Sequence, residues 1–289
     1  MSAAASPTTI AQATTMGAVE LTVADLGRSQ RYYEQEIGLR VLERDGARLS
    51  LGVDGQELLA LVEEPGARPA DGYTGLFHFA LLTPDRASLA RWLAHAARDR
   101  VELTGLSDHF VSEAIYLRDP DRHGIEIYAD RPRDVWEGKV GSTLTTQPLD
   151  THDLLSVLPD SDSEPFDGLP VGTTMGHVHL RVASIPETVA FYRDVLGFDL
   201  MATYAEQAAF LAAGGYHHHL GANIWESAGA PAPPPGTAAL RHSTIVLPDE
   251  TERDRVAARV ADAGQAPEQQ AGGVTVRDPS GNRLLLAAR

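Results

Sequence analysis

With 289 residues, 43% hydrophobic and 22% charged, the chain can form one large or two modest domains with cores of their own. A formal net charge of −16 argues against nucleic acid and anionic membrane surfaces as partners. Cysteine is absent, which excludes disulfides, thiolate metal sites and a cysteine nucleophile; any transition-metal site must use imidazole and carboxylate, and eleven histidines make one possible.

The first fifteen residues are rich in Ala, Ser and Thr, without the basic start and apolar stretch of a secretory signal. They read as a disordered tail, and the protein as cytoplasmic. No apolar run approaches the roughly 20 residues of a transmembrane helix. From Met16 the pattern turns regular. Val19, Leu21 and Val23 alternate with Glu20 and Thr22, a strand signature. Asp25 can cap a helix over about 26–36, and Gly38 stops it. Three short strands are expected near 40–43, 48–52 and 57–62.

A polar link rich in Pro and Gly (63–74) leads to a second apolar strand, 76–82. Pro84 and Asp85 open a helix to about Arg98, with Leu89, Trp92, Leu93 and Ala96 at helical spacing. Strands follow near 101–104, 114–118 and 124–128, the last two joined by a turn at 119–124. The order strand, helix, three strands thus occurs twice. The polar, acidic stretch 136–172, weakly helical at 151–157, reads as a linker.

The same order then returns. Asp25-Leu-Gly-Arg-Ser-Gln-Arg-Tyr-Tyr-Glu-Gln-Glu-Ile-Gly38 parallels Ser184-Ile-Pro-Glu-Thr-Val-Ala-Phe-Tyr-Arg-Asp-Val-Leu-Gly197, an offset of 197 − 38 = 159. Arg118-Asp-Pro parallels Arg277-Asp-Pro, and 277 − 118 is again 159. Repetition at this scale indicates duplication into four units. The third unit opens with Met175-Gly-His-Val-His-Leu-Arg-Val182, a strand with His177 and His179 on one face and Val178 and Leu180 on the other.

Four such βαβββ units, the first and third with a Tyr-Tyr or Phe-Tyr helix ending in Ile-Gly or Leu-Gly, resemble the vicinal oxygen chelate superfamily of glyoxalases, bleomycin resistance proteins and extradiol dioxygenases. The resemblance covers residues 16–135 and 173–289, an N-terminal and a C-terminal pair of units. Ser107-Asp-His-Phe-Val-Ser-Glu-Ala-Ile-Tyr116 and Gly214-Gly-Tyr-His-His-His-Leu-Gly-Ala-Asn-Ile-Trp225 are similar to the bacterial catechol 2,3-dioxygenase subgroup. The implied fold is α+β, with four βαβββ modules pairing into two cupped open β-barrels. In the superfamily, ligands to one metal come from the start of each first strand and from each last strand. Those positions here are Ala18, His78, His177 and His242, then about Leu59, Glu126, a residue in 217–223, and Leu285.

Units paired in chain order give no full set: the first with the second offers only His78 and Glu126, and the third with the fourth His177 and His242 with Leu285 in the carboxylate position. If the second unit pairs with the third, His78, Glu126 and His177 share a cup, and Ala18, Leu59, His242 and Leu285 share the other. His179 rivals His177 for its place, and His242 is more simply a residual or packing histidine. The donor set suits Fe(II), with Mn(II) as an alternative. The resemblance then implies extradiol cleavage of a small catechol-like aromatic by O2. His109, His217 and His219 are the candidate acid–base groups; on a continuous strand 217–223, His217 and His219 would share a face and His218 would oppose them. Two other readings belong to the same fold: a glyoxalase-type isomerase or lyase using Ni, Co or Zn and wanting a fourth protein ligand, and a non-catalytic binding or resistance protein. The chain is expected to be a monomer or a homo-oligomer.

Overall fold

The structure, a computed structural model, describes residues 9–159 and 166–289. Each of the four units begins with a central strand: Thr15–Val23, Gly75–Leu82, Thr174–Arg181 and Leu240–Leu247. Each strand runs straight into a helix capped by a short oxygen side chain. Asp25, Asp85, Ser184 and Asp249 accept the backbone N–H three residues on, satisfying one of the orphan donors of the first turn. Each unit closes with a strand parallel to its first: Gln56–Glu63, Gly124–Asp130, Leu220–Asn223 and Arg283–Ala288.

The units do not pair in chain order. Units one and four form an eight-stranded sheet through the antiparallel pair Thr15–Val23 and Leu240–Leu247. Units two and three form a nine-stranded sheet through the antiparallel pair Gly75–Leu82 and Thr174–Arg181. On one face of the second sheet, Phe79, Leu81, Ile125, Ile127, Val178 and Leu180 enter the main core. The main core also holds the helix residues Leu89, Trp92, Leu93 and Phe191. The other face carries a separate small cluster of Ala80, Ala114 and Tyr128. That second face is the inner face of a cup.

The repeated Arg-Asp-Pro turns lock units together. Tyr33 of unit one donates its hydroxyl to Asp119 of unit two at 2.9 Å, and Tyr192 of unit three does the same to Asp278 of unit four at 3.2 Å. The same carboxylates accept two backbone N–H groups each from their own turns. The helices carrying these tyrosines end differently from the expectation of regular α-helix. They are α-helical over Leu26–Tyr32 and Ile185–Val189, then widen into π-turns at Tyr33–Ile37 and Ala190–Val195.

Other boundaries also shift. The strand expected at 101–104 forms at Gly105–Asp108. The tail expected to run to residue 15 is ordered sooner, because buried Ile10 donates its N–H to Gly197 and Ala11 donates to Glu252. Residues 1–8 of that expectation lie outside the described residues. The stretch read as a linker is not a free tether: Trp136 and Val140 are buried with Val111, and Gln147–Pro148 adds an edge strand. Residues 160–165 of it lie outside the described residues. Among the described residues, no helix is long and apolar enough to cross a membrane.

Candidate metal centre

Register brings three side chains to one point. Ala80 lies opposite Glu126 on one side and His177 on the other, so these two flank a small residue in a single row across three strands. His78, two residues back on the same strand, shares their face. His78 Nε2 lies 3.0 Å from Glu126 Oε2, His177 Nε2 lies 3.1 Å from the same oxygen, and the two ring nitrogens are 3.3 Å apart. All three residues are buried. His179, opposite His78, is buried beside it with ring centroids 5.0 Å apart, but its Nε2 has no hydrogen-bond partner among the described residues. Of the two histidines on the third unit's first strand, His177 and not His179 meets Glu126.

Local features of the backbone allow this convergence. The pairing register shifts between Met175 and His177, and again at His179, which opposes His78 while Leu180 opposes Leu76. The second shift is a bulge that leaves Phe77 inside the cup, 5.2 Å from the His179 ring. At the first shift sits Gly176; a Cβ there would stand 1.8 Å from the Tyr128 hydroxyl. Tyr128 in turn packs its ring 4.9 Å from His177.

The donor set fits one metal ion. Ligands about 2.1 Å from a metal lie roughly 3.0 Å apart at right angles and roughly 3.4 Å apart at tetrahedral angles. The observed triangle, 3.0, 3.1 and 3.3 Å, falls between these values. Burial would raise the Glu126 carboxyl, but the two imidazoles outweigh it and hold the group well below the ordinary range. Burial lowers His177, against the pull of Glu126. An ionised carboxylate between neutral imidazoles is the form that binds a divalent cation.

Two hydrogen-bonded chains surround the triad. In the first, His109 Nδ1–H donates to the Thr145 carbonyl at 2.7 Å, which leaves Nε2 to accept from the Tyr116 hydroxyl, also at 2.7 Å. Tyr116 lies opposite Glu126 on the neighbouring strand, and its ring is 5.5 Å from His78. Burial and the Glu126 charge push the Tyr116 hydroxyl well above its usual pKa. In the second chain, His217 Nε2–H donates to Asp130 at 2.8 Å, so His217 Nδ1 accepts from His218 Nδ1–H at 2.8 Å. The His218 ring lies 4.1 Å from His177.

This placement corrects the expectation for the histidine triplet. The strand starts only at Leu220, so the triplet lies in an irregular bend after Gly214 and Gly215, where alternation does not apply. His218, not His219, approaches the triad. His219 turns away and accepts the Ala213 N–H; burial and neighbouring imidazoles lower it to about 3. His109 acts on the site only through Tyr116. Tyr116, Tyr128 and Asp130 were not among the expected site residues, although alternation from Glu126 puts 128 and 130 on its face. Trp136 and Thr145, from the stretch read as a linker, also reach the site: Trp136 packs 5.4 Å from the His217 ring.

The other cup differs. His242 lies opposite Glu20, 3.8 Å from its carboxylate, and Glu20 is taken up by Arg48 and Arg241. Among the described residues, no second group of three imidazole or carboxylate ligands converges.

A protein of Bacillus subtilis (strain 168) named Catechol-2,3-dioxygenase is 42% identical over 278 residues, spanning 94% of this chain and 96% of that one. Among solved structures, a putative dioxygenase from Bacillus subtilis superimposes with a TM-score of 0.67 at 14% identity, over 97% of this chain and 86% of the other. Glyoxalase I from Zea mays gives 0.59 at 17% identity, over 96% and 92%. The sequence model of the Glyoxalase/Bleomycin resistance protein/Dioxygenase superfamily matches residues 15–127 and 174–286. With both pairs of units matched, the chain belongs to the Glyoxalase/Bleomycin resistance protein/Dioxygenase superfamily.

Proposed function

We propose that this chain is an extradiol dioxygenase that opens the ring of a catechol-type aromatic with O2, using a metal held by His78, Glu126 and His177. The observation that carries the reading is the convergence of these three buried groups, in a chain 42% identical to a protein named Catechol-2,3-dioxygenase. Fe(II) suits two imidazoles and one carboxylate on one face, and when bound it supplies chelation of the two catechol oxygens and electrons to O2.

The chain's own residues supply the proton chemistry. Asp130 fixes His217 as the Nε2–H tautomer, His217 fixes His218 as the Nδ1–H tautomer, and His218 Nε2 is left as an acceptor for a substrate proton. Tyr116 gives its one hydroxyl proton to His109 Nε2, so beside Glu126 its oxygen is left to accept a hydrogen bond from a group in the cup. Phe77, Phe210 and Trp225 surround His179 with aromatic faces against which a substrate ring can pack. A fourth protein ligand, which a glyoxalase-type isomerase would want, is not part of the converging group among the described residues.

The test is oxygen uptake by iron-loaded protein with a panel of catechols. One O2 consumed per catechol lost is expected. Iron-loaded protein that binds catechols without consuming O2 would contradict the reading and favour a binding role.

A further inference from the structure

Among the described residues, seven buried side-chain atoms have no hydrogen-bond partner, and four of them lie together in the cup: His177 Nδ1, His179 Nε2, Arg181 Nε and Asn223 Nδ2. His177, His179 and Arg181 are alternate residues on one strand and share a face. Asn223 is paired with Arg181 across the neighbouring parallel strand, as Gly221 is with His179. Buried polar groups without partners are uncommon and costly. Four in one concave face indicate that something else supplies the partners.

The chemistry of that partner is readable. Asn223 is fully buried, and its side-chain oxygen accepts the Trp225 N–H, which leaves its NH2 as a donor. The Arg181 side chain is nine-tenths buried, and its ion pair to half-exposed Glu226 is long, at 3.7 Å. Two donors, one of them a planar cation with a weak counterion, match a planar two-oxygen monoanion. The adjoining mouth is charged in both signs: Arg118, Arg122 and Arg181 line it with Asp71, Asp121 and Glu226, and Arg122 pairs with Asp71 at 2.5 Å, so the unpartnered donors of Arg181 and Asn223 rather than a net positive charge mark the anion position. At about 3.3 Å per residue, Arg181 lies roughly 7 Å along the strand from His179, the residue opposite His78. A substituted aromatic ring can span that distance. Phe77, 5.3 Å from Trp225 and 5.2 Å from His179, flanks the path with aromatic faces.

We infer that the substrate carries a carboxylate, bound by Arg181 and Asn223 at the end of the cup away from Glu126 and His177. The inference rests on the dioxygenase reading only for the catechol end of the molecule.

The test compares two ligands that differ by the carboxylate, 3,4-dihydroxyphenylacetate and 4-methylcatechol. Dissociation constants are measured by calorimetry under nitrogen with iron-loaded, full-length protein. The carboxylated ligand should bind at least tenfold more tightly to the unmodified protein. That ratio should collapse toward one in Arg181→Gln, and should fall below one in Asn223→Asp, where a second carboxylate faces the ligand. Equal affinities in the unmodified protein would overturn the inference without any variant, as would a ratio that survives Arg181→Gln. If the ratio holds while neither ligand supports oxygen uptake, the anion subsite stands and the dioxygenase reading falls. If oxygen uptake proceeds with a ratio near one, the reverse is true.

Discussion

At the residue scale, the proposed site joins three converging ligand groups to a hydrogen-bonded histidine chain, and the proposal gives the two separate roles. Among the described residues, the chain Asp130–His217–His218 makes no hydrogen bond to a ligand nitrogen, so its loss should leave the metal in place and slow proton transfer. His218→Gln is expected to lower kcat by about 10² or more, the usual range for a general acid–base group, with metal content unchanged. Metal loss in that variant would instead make His218 a ligand. His219 gives a second, independent outcome. Its folded pKa of about 3 lies below the ordinary 6.5, so the unfolded chain takes up the proton first as pH falls. Stability contributed by neutral His219 is therefore complete above about pH 6.5 and is lost as pH falls toward 3. By pH 5 the loss is on the order of 2 kcal/mol. Burial lowers His177, His179 and His218 in the same direction. Denaturant melts should show falling stability from pH 7 to 5, with a shallower fall in His219→Asn; an equal fall in both would deny His219 this role.

The candidate ligands were legible in the sequence through the family resemblance laid over the four units. His78 and His177 occupy equivalent first-strand positions, and Glu126 a last-strand one. What the repeat could not show was tautomer and bend. His218 replaced its neighbours because Gly214 and Gly215, both at positive φ, break the strand before the triplet. Asp130 was reachable in principle, since residues 126, 128 and 130 share a strand face.

At the element scale, the units are held by equivalent tyrosine–aspartate locks. Asp278 accepts from Tyr192 and from two backbone N–H groups in a buried turn. Asp278→Ala leaves these donors unsatisfied, at about 1–3 kcal/mol for each buried group. The thermal midpoint should drop by several degrees, since each kcal/mol shifts a chain of this size by roughly 2–4 °C. Tyr192→Phe, which removes one hydrogen bond, should cost about 1 kcal/mol. An unchanged midpoint in Asp278→Ala would show that the turn is held by something else. The order of elements was readable because alternation, caps and stop glycines repeat. The π-turns were not, because the pattern of Tyr33 and Ile37 fits an α-helix as well as the wider turn that delivers the Tyr33 hydroxyl to Asp119. The segment after Trp136 was misleading for another reason: its polarity hides Trp136 and Val140, and burial depends on what they meet.

At the scale of the whole molecule, both sheets are built across the midpoint of the chain. Units one and four share one sheet, units two and three the other. Cutting between the second and third units therefore opens both sheets along their central strand pairs. Residues 1–135 and 173–289 expressed alone should lack cooperative unfolding, whereas a fragment over 74–225 keeps all nine strands of the second sheet. Circular dichroism melts of the three fragments test this; a cooperative melt of 1–135 alone would contradict it. The duplication was visible as a constant offset of 159, but the pairing followed only from asking which combination of units completes a ligand set.

That pairing and the chemistry meet in one number, the metal bound per chain. Protein purified without oxygen and loaded with Fe(II) should hold one iron per chain by elemental analysis. Glu126→Ala and His177→Ala should each lose it, while His242→Ala in the other cup and His179→Ala beside the triad should retain it. Full iron retention in Glu126→Ala would contradict the assignment of the site.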